Sequence, residues 1–309
     1  MRGTAGRRRE DELLPDPFWA ADRAALRGQD FALYWYRCQL ALTLLAALFG
    51  VFSARRVHGV NVVPLLSVAC FLGAGCFALA LHRRSPQEQW YQGRSAAESM
   101  KSLTWKYVVR AEPFGGPDEP AAKHFLDALR DVPQSFLEDN RSPDGKGAPK
   151  QTEPRITPLM RDERRKPLQQ RRSLYLTERV YAQKTWYLGR ADSCDQQAQV
   201  WALGVALMLL AGVVVAVLET EFYPGLHALG LFSAGAAAVS AWTQLKQFRP
   251  LASAYRLAAA ELERVAAQLT RIDLTARDAE QTWSRLAARA EDAISREHIV
   301  WRARSQHRG

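Results

Sequence analysis

The residues that could carry out catalysis or bind a metal are few and scattered. The four cysteines have no spacing typical of metal ligands, and two of them, Cys70 and Cys76, fall inside an apolar block. The paired acids Glu261 and Glu263 lie on the polar face of a predicted helix, where solvated carboxylates are expected. The sequence contains no phosphate-binding glycine loop and no hydrolase or zinc-protease motif. We therefore expect no enzyme, with no catalytic residue, cofactor or metal site.

Clustered cations offer another kind of chemistry, the binding of an anion. The run RDERRKPLQQRR at 161–172 could hold an anionic nucleotide, and a helix facing solvent or lipid is the alternative interpretation. The whole chain of 309 residues has a formal net charge of +10, which suits nucleic acid, anionic lipid or an acidic nucleotide. Because many of the cations flank apolar blocks, we expect membrane lipids as partners and no nucleic acid.

Four apolar blocks, arranged as two close pairs, determine the fold class. They run over 38–54, 60–81, 202–218 and 222–245. As helices they are long enough to cross a hydrocarbon core of about 30 Å, and the connections within each pair allow only tight hairpins. The sequence predicts an all-α membrane protein with four transmembrane helices in two hairpins. Long cytoplasmic helices between and after the hairpins are expected to form a bundle.

Charged residues flank the apolar blocks asymmetrically. Arg and Lys concentrate away from the hairpin tips, so the positive-inside rule places both termini and residues 82–198 in the cytoplasm. Two tip residues, Arg55 and Arg56, count against this orientation, whereas Glu219 and Glu221 agree with it. These four residues are candidate charges at the outer mouth of a pore.

Aromatic and cationic residues recur at the approaches to the first and third spans, where such side chains favour the headgroup layer. For Trp186, packing in a cytoplasmic helical core is an equal alternative. The predicted membrane-interface belt consists of Trp35, Tyr36, Arg37, Trp186, Tyr187, Arg190 and Trp201.

Small residues at four-residue spacing in the second and fourth spans predict close helix packing, either within a hairpin or between subunits. These residues are Cys70, Ala74, Ala78, Gly230, Ala234 and Ala238.

A weak internal repeat suggests two units of similar architecture. Laying the first hairpin on the second aligns Pro64 with Pro224, and RSAAESMKSL at 94–103 with RLAAAELERV at 256–265. The predicted organisation is a disordered basic N-terminus (1–16), a first helix–hairpin–helix unit (17–112), a linker with one short helix (113–156) and a second unit (157–306).

Three stretches resemble a known family. The run at 156–204 resembles the lead-in of a SLATT domain, the SMODS- and SLOG-associating two-transmembrane effector, and EDAISREHIVW at 291–301 resembles the end of such a unit. The segment WYQGRSAAESMKSLTWKYVVRAEPF at 90–114 resembles the helix after the hairpin in a related subtype. Together they describe a tandem SLATT-type protein.

The resemblance implies an effector of the bacterial inner membrane that works as a homo-oligomer in antiphage defence. Such a protein would be a gated pore or would perturb the membrane, in response to a nucleotide second messenger or a sensor protein. The first alternative is a non-conducting scaffold that recruits cytoplasmic partners through residues 249–306. A weaker alternative is a transporter that uses His227, the one residue of the predicted spans that carries charge near neutral pH.

Overall fold

The protein is almost entirely helical in this computed structural model, and the all-α fold class is confirmed. The structure describes residues 9–51, 56–57, 60–84, 86–139, 154–221 and 228–306. Within these ranges it describes only the backbone at 56–57, 60–61, 84, 86–89, 133–139 and 295–306.

Eleven helices and one short hairpin follow each other along the described residues. The helices are α1 (Arg9–Leu13), α2 (Asp16–Val51), α3 (Val62–Arg84), α4 (Pro86–Val108), α5 (Asp118–Asp139), α6 (Pro158–Arg164), α7 (Leu168–Leu174), α8 (Ala182–Glu221), α9 (Leu229–Lys246), α10 (Phe248–Thr270) and α11 (Ala279–Gln306). A π-helical segment, Tyr175–Tyr181, joins α7 to α8. The two-residue strands β1 (Arg56–Val57) and β2 (Val60–Asn61) pair antiparallel between α2 and α3.

Three helices of the described chain are long and apolar enough to cross a membrane. They are Asp16–Val51, Val62–Arg83 and Leu168–Glu221; the third contains the predicted span 202–218, and the first two overlap most of the spans 38–54 and 60–81. In their most apolar windows only 11%, 6% and 6% of the residues are buried by the rest of the chain. Apolar surfaces of this extent are unfavourable in water, so these helices indicate a membrane protein.

The fourth predicted span, 222–245, overlaps α9. Its first six residues, which include Pro224 and His227, lie outside the described residues. The remaining helix has 18 residues, is rich in Ala, Gly and Ser, and is not among the three helices that are long and apolar enough to cross a membrane. A count of four spans therefore stays a prediction, whereas three are supported by helix length and composition.

The helices form two compact units, each composed of separate stretches of the chain. One unit, here called the bundle unit, comprises residues 1–28, 87–188 and 256–309. The other, here called the apolar unit, comprises residues 29–86 and 189–255.

In the apolar unit, α2 and α3 pack antiparallel through short side chains. The Ser67 hydroxyl on α3 donates a hydrogen bond to the Ala46 carbonyl on α2 at 3.1 Å. A Cβ atom at Gly73 would lie 3.2 Å from Leu42 Cδ1, so the helices are in close contact there. Of the predicted small residues on α3, Ala74 is the buried one.

The second pair, α8 and α9, packs in the same way. A Cβ atom at Gly235 would lie 3.3 Å from Met208 Sδ, and the rings of Trp201 and Trp242 meet edge to face at 6.5 Å. A Cβ atom at Gly230 would have nothing within 4 Å, so this predicted packing position is open. In each pair the glycine in close contact with the neighbouring helix is next in sequence to a predicted small residue, Ala74 or Ala234.

Part of the N-terminal segment for which disorder is predicted, residues 9–16, contains a short helix and a turn. Helix α1 and the following turn pack in the bundle unit, where Leu13 is 1% and Leu14 is 5% exposed. These leucines provide apolar area to bury, and the charged residues around them find partners in the unit. Residues 1–8 lie outside the described part of the chain.

The predicted linker at 113–156 also contains more structure than expected. Helix α5 has 22 residues, and its residues Ala121, Phe125 and Leu129 are buried. Their spacing of four residues gives a continuous apolar stripe, which packs in the bundle unit instead of remaining in a solvated linker. Residues 140–153 lie outside the described part.

We predict that Gly93→Ala destabilises the bundle unit. A Cβ atom at Gly93 of α4 would lie 3.1 Å from Ala25 N and 3.2 Å from Ala21 O, both backbone atoms of α2 that have little freedom to move. We expect a loss of about 1–3 kcal/mol from overpacking, measured by thermal unfolding in detergent. The matched control is Gly189→Ala, where the added Cβ would have nothing within 4 Å. That change should cause no overpacking and should raise the free energy of unfolding by about 0.5–1 kcal/mol, because alanine favours the helix more than glycine does. Equal unfolding temperatures for the two variants would contradict the close approach.

Candidate functional site

Three arginines of the basic region and the helix that follows it are buried in the bundle unit. Arg164, Arg171 and Arg179 are each 1% exposed. A buried cation is costly unless acceptors satisfy its donors, and each of these guanidinium groups binds acceptors from other elements. Neither of the two sequence-based interpretations of the run at 161–172, a nucleotide site or a solvent- or lipid-facing helix, describes Arg164 and Arg171.

Arg164 and Arg171 bind the C-terminal end of α4. The last carbonyl groups of a helix have no partner within it and carry partial negative charge, so cationic donors stabilise them. Arg164 Nη1 donates to Tyr107 O at 2.7 Å, and Arg171 Nη1 donates to Val109 O at 2.8 Å. The Trp283 indole of α11 also donates to Val109 O, at 2.7 Å.

The turn that follows α4 is held by the same guanidinium groups. Arg164 Nε donates to Asp118 Oδ1 at 3.0 Å, and its Nη2 donates to Gly116 O at 2.9 Å. The guanidinium group also stacks on the Tyr107 ring, 4.7 Å from its centroid. Burial lowers the pKa of Arg164, and the hydrogen bond with Asp118 opposes this effect. Arg164 therefore acts as a structural cation that joins α4, α5 and α6.

Among the ion pairs of the described residues, the pair of Arg179 and Glu291 is deeply buried, and Glu291 of α11 is 0% exposed. Arg179 Nε and Nη2 donate to the two carboxylate oxygens of Glu291, each at 2.9 Å. The Tyr175 hydroxyl donates to Glu291 Oε1 at 2.8 Å. A bidentate guanidinium–carboxylate pair has strict geometry, so it fixes α11 against the segment that carries Arg179.

A second carboxylate, that of Glu10 on α1, reaches the same region. Glu10 Oε1 accepts hydrogen bonds from Trp105 Nε1 at 3.0 Å and is 2.8 Å from Lys101 Nζ. It is also 4.0 Å from Arg179 Nη1, which is a buried nitrogen with no hydrogen-bond partner among the described residues. We call Glu10, Tyr175, Arg179 and Glu291 the buried charge cluster.

The electrostatics of this cluster depend on its burial. Burial acts to lower the pKa of Arg179, but the Glu291 carboxylate outweighs it, with help from Glu10 and Glu98, and the pKa is raised. Burial first, and then the charge of Glu291, raises the pKa of Tyr175 well above its usual range. At neutral pH the tyrosine is therefore a neutral donor and the arginine a cation. Loss of the Glu291 charge would leave a buried guanidinium group without its counter-ion.

Two members of the buried charge cluster lie on the π-helical segment Tyr175–Tyr181. A π-helical turn contains one residue more than the hydrogen-bonded turn of an α-helix, and such segments often mark functional positions. Here the Tyr175 ring packs edge to face between Trp105, at 5.7 Å, and Trp283, at 5.9 Å. The irregular segment thus brings both Tyr175 and Arg179 to Glu291. A sequence pattern of polar and apolar residues does not reveal such a segment.

The residues of the predicted membrane-interface belt belong to different units and differ in their exposure. Tyr187 is 3% exposed in the bundle unit, near Leu262 and Val265 of α10, and its place in the belt stays a prediction. Its neighbour Trp186 is 38% exposed. The physical reason is the helical turn between adjacent residues, which directs one ring into the bundle and the other away from it.

The other belt residues lie in the apolar unit. Trp35 packs edge to face on Phe77 at 5.0 Å, and Tyr36 is half-buried. Arg37 and Arg190 are exposed. Trp201 meets Trp242. Whether these residues reach lipid headgroups stays a prediction.

The four candidate charges at the hairpin tips differ in their surroundings. Glu219 Oε1 accepts hydrogen bonds from the backbone nitrogens of Ala228, at 2.6 Å, and of Leu229, at 3.0 Å, and so caps the start of α9. Glu221 is exposed at the end of α8. Arg55 lies outside the described residues, and of Arg56 only the backbone, in β1, is described.

Two family models match the chain. The model described as SMODS and SLOG-associating 2TM effector domain 3 matches residues 15–172, just over half of the chain. The model described as SMODS and SLOG-associating 2TM effector domain 1 matches residues 175–301. The first match extends beyond the predicted end of the first unit at 112, and the second begins at the π-helical segment. No curated protein and no solved structure shows a significant match.

We predict that Glu291→Gln destabilises the bundle unit far more than Asp292→Asn does. The first change leaves Arg179 buried without its counter-charge, which should cost about 3–5 kcal/mol. The second removes an exposed pair, in which Lys106 Nζ lies 2.5 Å from an Asp292 carboxylate that is 54% exposed, and should cost less than about 1 kcal/mol. Thermal unfolding of the purified variants measures both. Similar losses would contradict the role given to the buried charge cluster.

Proposed function

We infer the function of this chain from its family: it belongs to the SLATT family of SMODS and SLOG-associating 2TM effector domains and carries two of them in tandem. It is a membrane effector protein. We propose further that it acts in bacterial antiphage defence as an oligomeric gated pore, or as a protein that perturbs the membrane when it is activated.

One observation carries this proposal. One helical stretch, Leu168–Glu221, contains both the buried Arg171, Tyr175 and Arg179 and an apolar segment that the chain leaves exposed. Because the two parts follow each other along the chain, a change of helical form at the buried charge cluster would be passed on to the residues of the apolar segment. This continuity would couple a signal received in the bundle unit to a change in the membrane.

The π-helical segment provides the step that such coupling needs. If Tyr175–Tyr181 changed from π-helical to α-helical hydrogen bonding, the following residues would shift by about one position, a rotation of roughly 100° about the helix axis. That rotation would turn a different face of the apolar segment towards its neighbours. The pair of Arg179 and Glu291 holds the π-helical form, and thereby the resting state, because both groups lose their partner if the segment rotates.

The partners and the location of the protein follow as part of the same proposal. We place it in the bacterial inner membrane with cytoplasmic termini, where the bundle unit would meet a nucleotide second messenger or a sensor protein. It would function as a homo-oligomer in contact with membrane lipids, without enzymatic activity and without nucleic acid. Exposed arginines such as Arg161 and Arg165 remain available to an anionic ligand, since Arg165 is 68% exposed at its side chain.

Dye release from liposomes tests the gate. Glu291→Gln should release a trapped dye or ion without any signal, at least tenfold faster than wild type, because the resting state loses the bidentate pair. Asp292→Asn should behave as wild type, since its ion pair with Lys106 is exposed. Tyr175→Phe removes one hydrogen bond to Glu291 but no charge, and should give an intermediate rate.

Folded Glu291→Gln protein that releases neither dye nor ions would overturn the gated pore. If deletion of residues 249–306 also abolished a defence phenotype and the binding of a partner, a non-conducting scaffold would replace it. Flux that depends on one solute and on His227 would instead identify a transporter.

A further inference from the structure

Two cations of the apolar unit gather over one indole ring. Lys246 Nζ lies 5.1 Å from the centroid of the Trp242 ring, and Arg37 Cζ lies 5.5 Å from the same centroid. Both distances are within the range of a cation–π contact. Trp242 and Lys246 lie in the last turns of α9, whereas Arg37 comes from α2, so two helices supply the cluster.

The two cations repel each other, and nearby charge adds to the repulsion. Burial first, and then the positive charges of Arg37 and Arg190, lower the pKa of Lys246. The quadrupole of one indole ring and the C-terminal carbonyl groups of α9 offset part of this repulsion. An anion placed beside Trp242 would relieve it further. The arrangement therefore favours a negatively charged ligand.

The surface next to these cations is apolar. On α8, Trp201 meets the Trp242 ring, and on the same face of the helix in the following turns Val205 is half-buried and Met208 is 39% exposed. Arg37 is followed on α2 by the run CQLALTLLAALFGV. A ligand that joins a phosphate to long apolar chains can occupy both kinds of surface at once.

We propose that Trp242, Lys246 and Arg37 form a binding site for the phosphate group of an anionic phospholipid. The ammonium and guanidinium groups bind the phosphate oxygens, and the Trp242 ring lies against the glycerol region. The acyl chains follow the exposed apolar residues of α8. A soluble phosphate would use the cations but would leave these apolar residues uncovered. The site goes beyond the proposed effector function, because it operates whether or not the protein conducts.

Native mass spectrometry of the full-length protein in detergent tests this site. Phosphatidylglycerol and phosphatidylcholine are titrated separately, and the fraction of protein that retains each lipid is measured. Wild type should prefer phosphatidylglycerol. Lys246→Gln and Arg37→Gln should each weaken its binding by about fivefold, the effect expected for one cation near an anionic headgroup, and should leave phosphatidylcholine unchanged.

The matched control is Arg249→Gln, which removes an exposed cation three residues beyond Lys246 and should keep the preference. Trp242→Phe retains an aromatic ring and should give a smaller loss, and it replaces either charge variant that fails to fold. No lipid preference in wild type, or equal losses in Arg249→Gln and Lys246→Gln, would overturn the proposal. Full displacement of the lipid by inorganic phosphate would overturn the lipid assignment and identify a site for soluble phosphate.

Discussion

A buried charge is stable only when the fold places a counter-charge beside it. In the bundle unit this requirement applies to Arg179. Its guanidinium group is enclosed, so Glu291 of α11 and Tyr175 must remain within hydrogen-bond distance. Glu10 brings α1 into the same region through Trp105. Replacing such a cluster with apolar residues of similar size is often neutral or stabilising, so stability alone does not explain it. A buried charge cluster that holds the helices in one conformation, and that would break in another, fits the resting state of a switch.

The apolar unit follows a different constraint, because its helices leave their apolar side chains uncovered by the chain. Within each helix pair the backbones approach at Gly73 and at Gly235, where a side chain would meet the neighbouring helix. These contacts are local to each pair, and the apolar side chains around them require lipid or other subunits. The stretch Leu168–Glu221 carries residues subject to both constraints, the buried Arg179 and the exposed apolar segment.

The sequence predicts the features that depend on local composition and not those that depend on distant partners. Long uncharged runs reveal the apolar helices, and the residue types around them identify the family. Close contacts at Gly73 and Gly235 were not predicted at those positions: the small residues singled out from the sequence, Ala74 and Ala234, lie about 100° away round the helix. The burial of Arg179 was not predictable, because Glu291 lies 112 residues further along the chain. Helix α1 was missed for the same reason, since its order depends on contacts with α4 and α6.

The most direct test of this account is electron cryo-microscopy of the full-length protein in lipid nanodiscs, with wild type compared to Glu291→Gln. We predict several copies arranged around an axis, with the apolar helices in the bilayer. In wild type, residues 175–181 should be π-helical. In the variant they should be α-helical, and the apolar segment should be rotated. Identical helix positions in the two proteins, or a monomer without a central path, would contradict it.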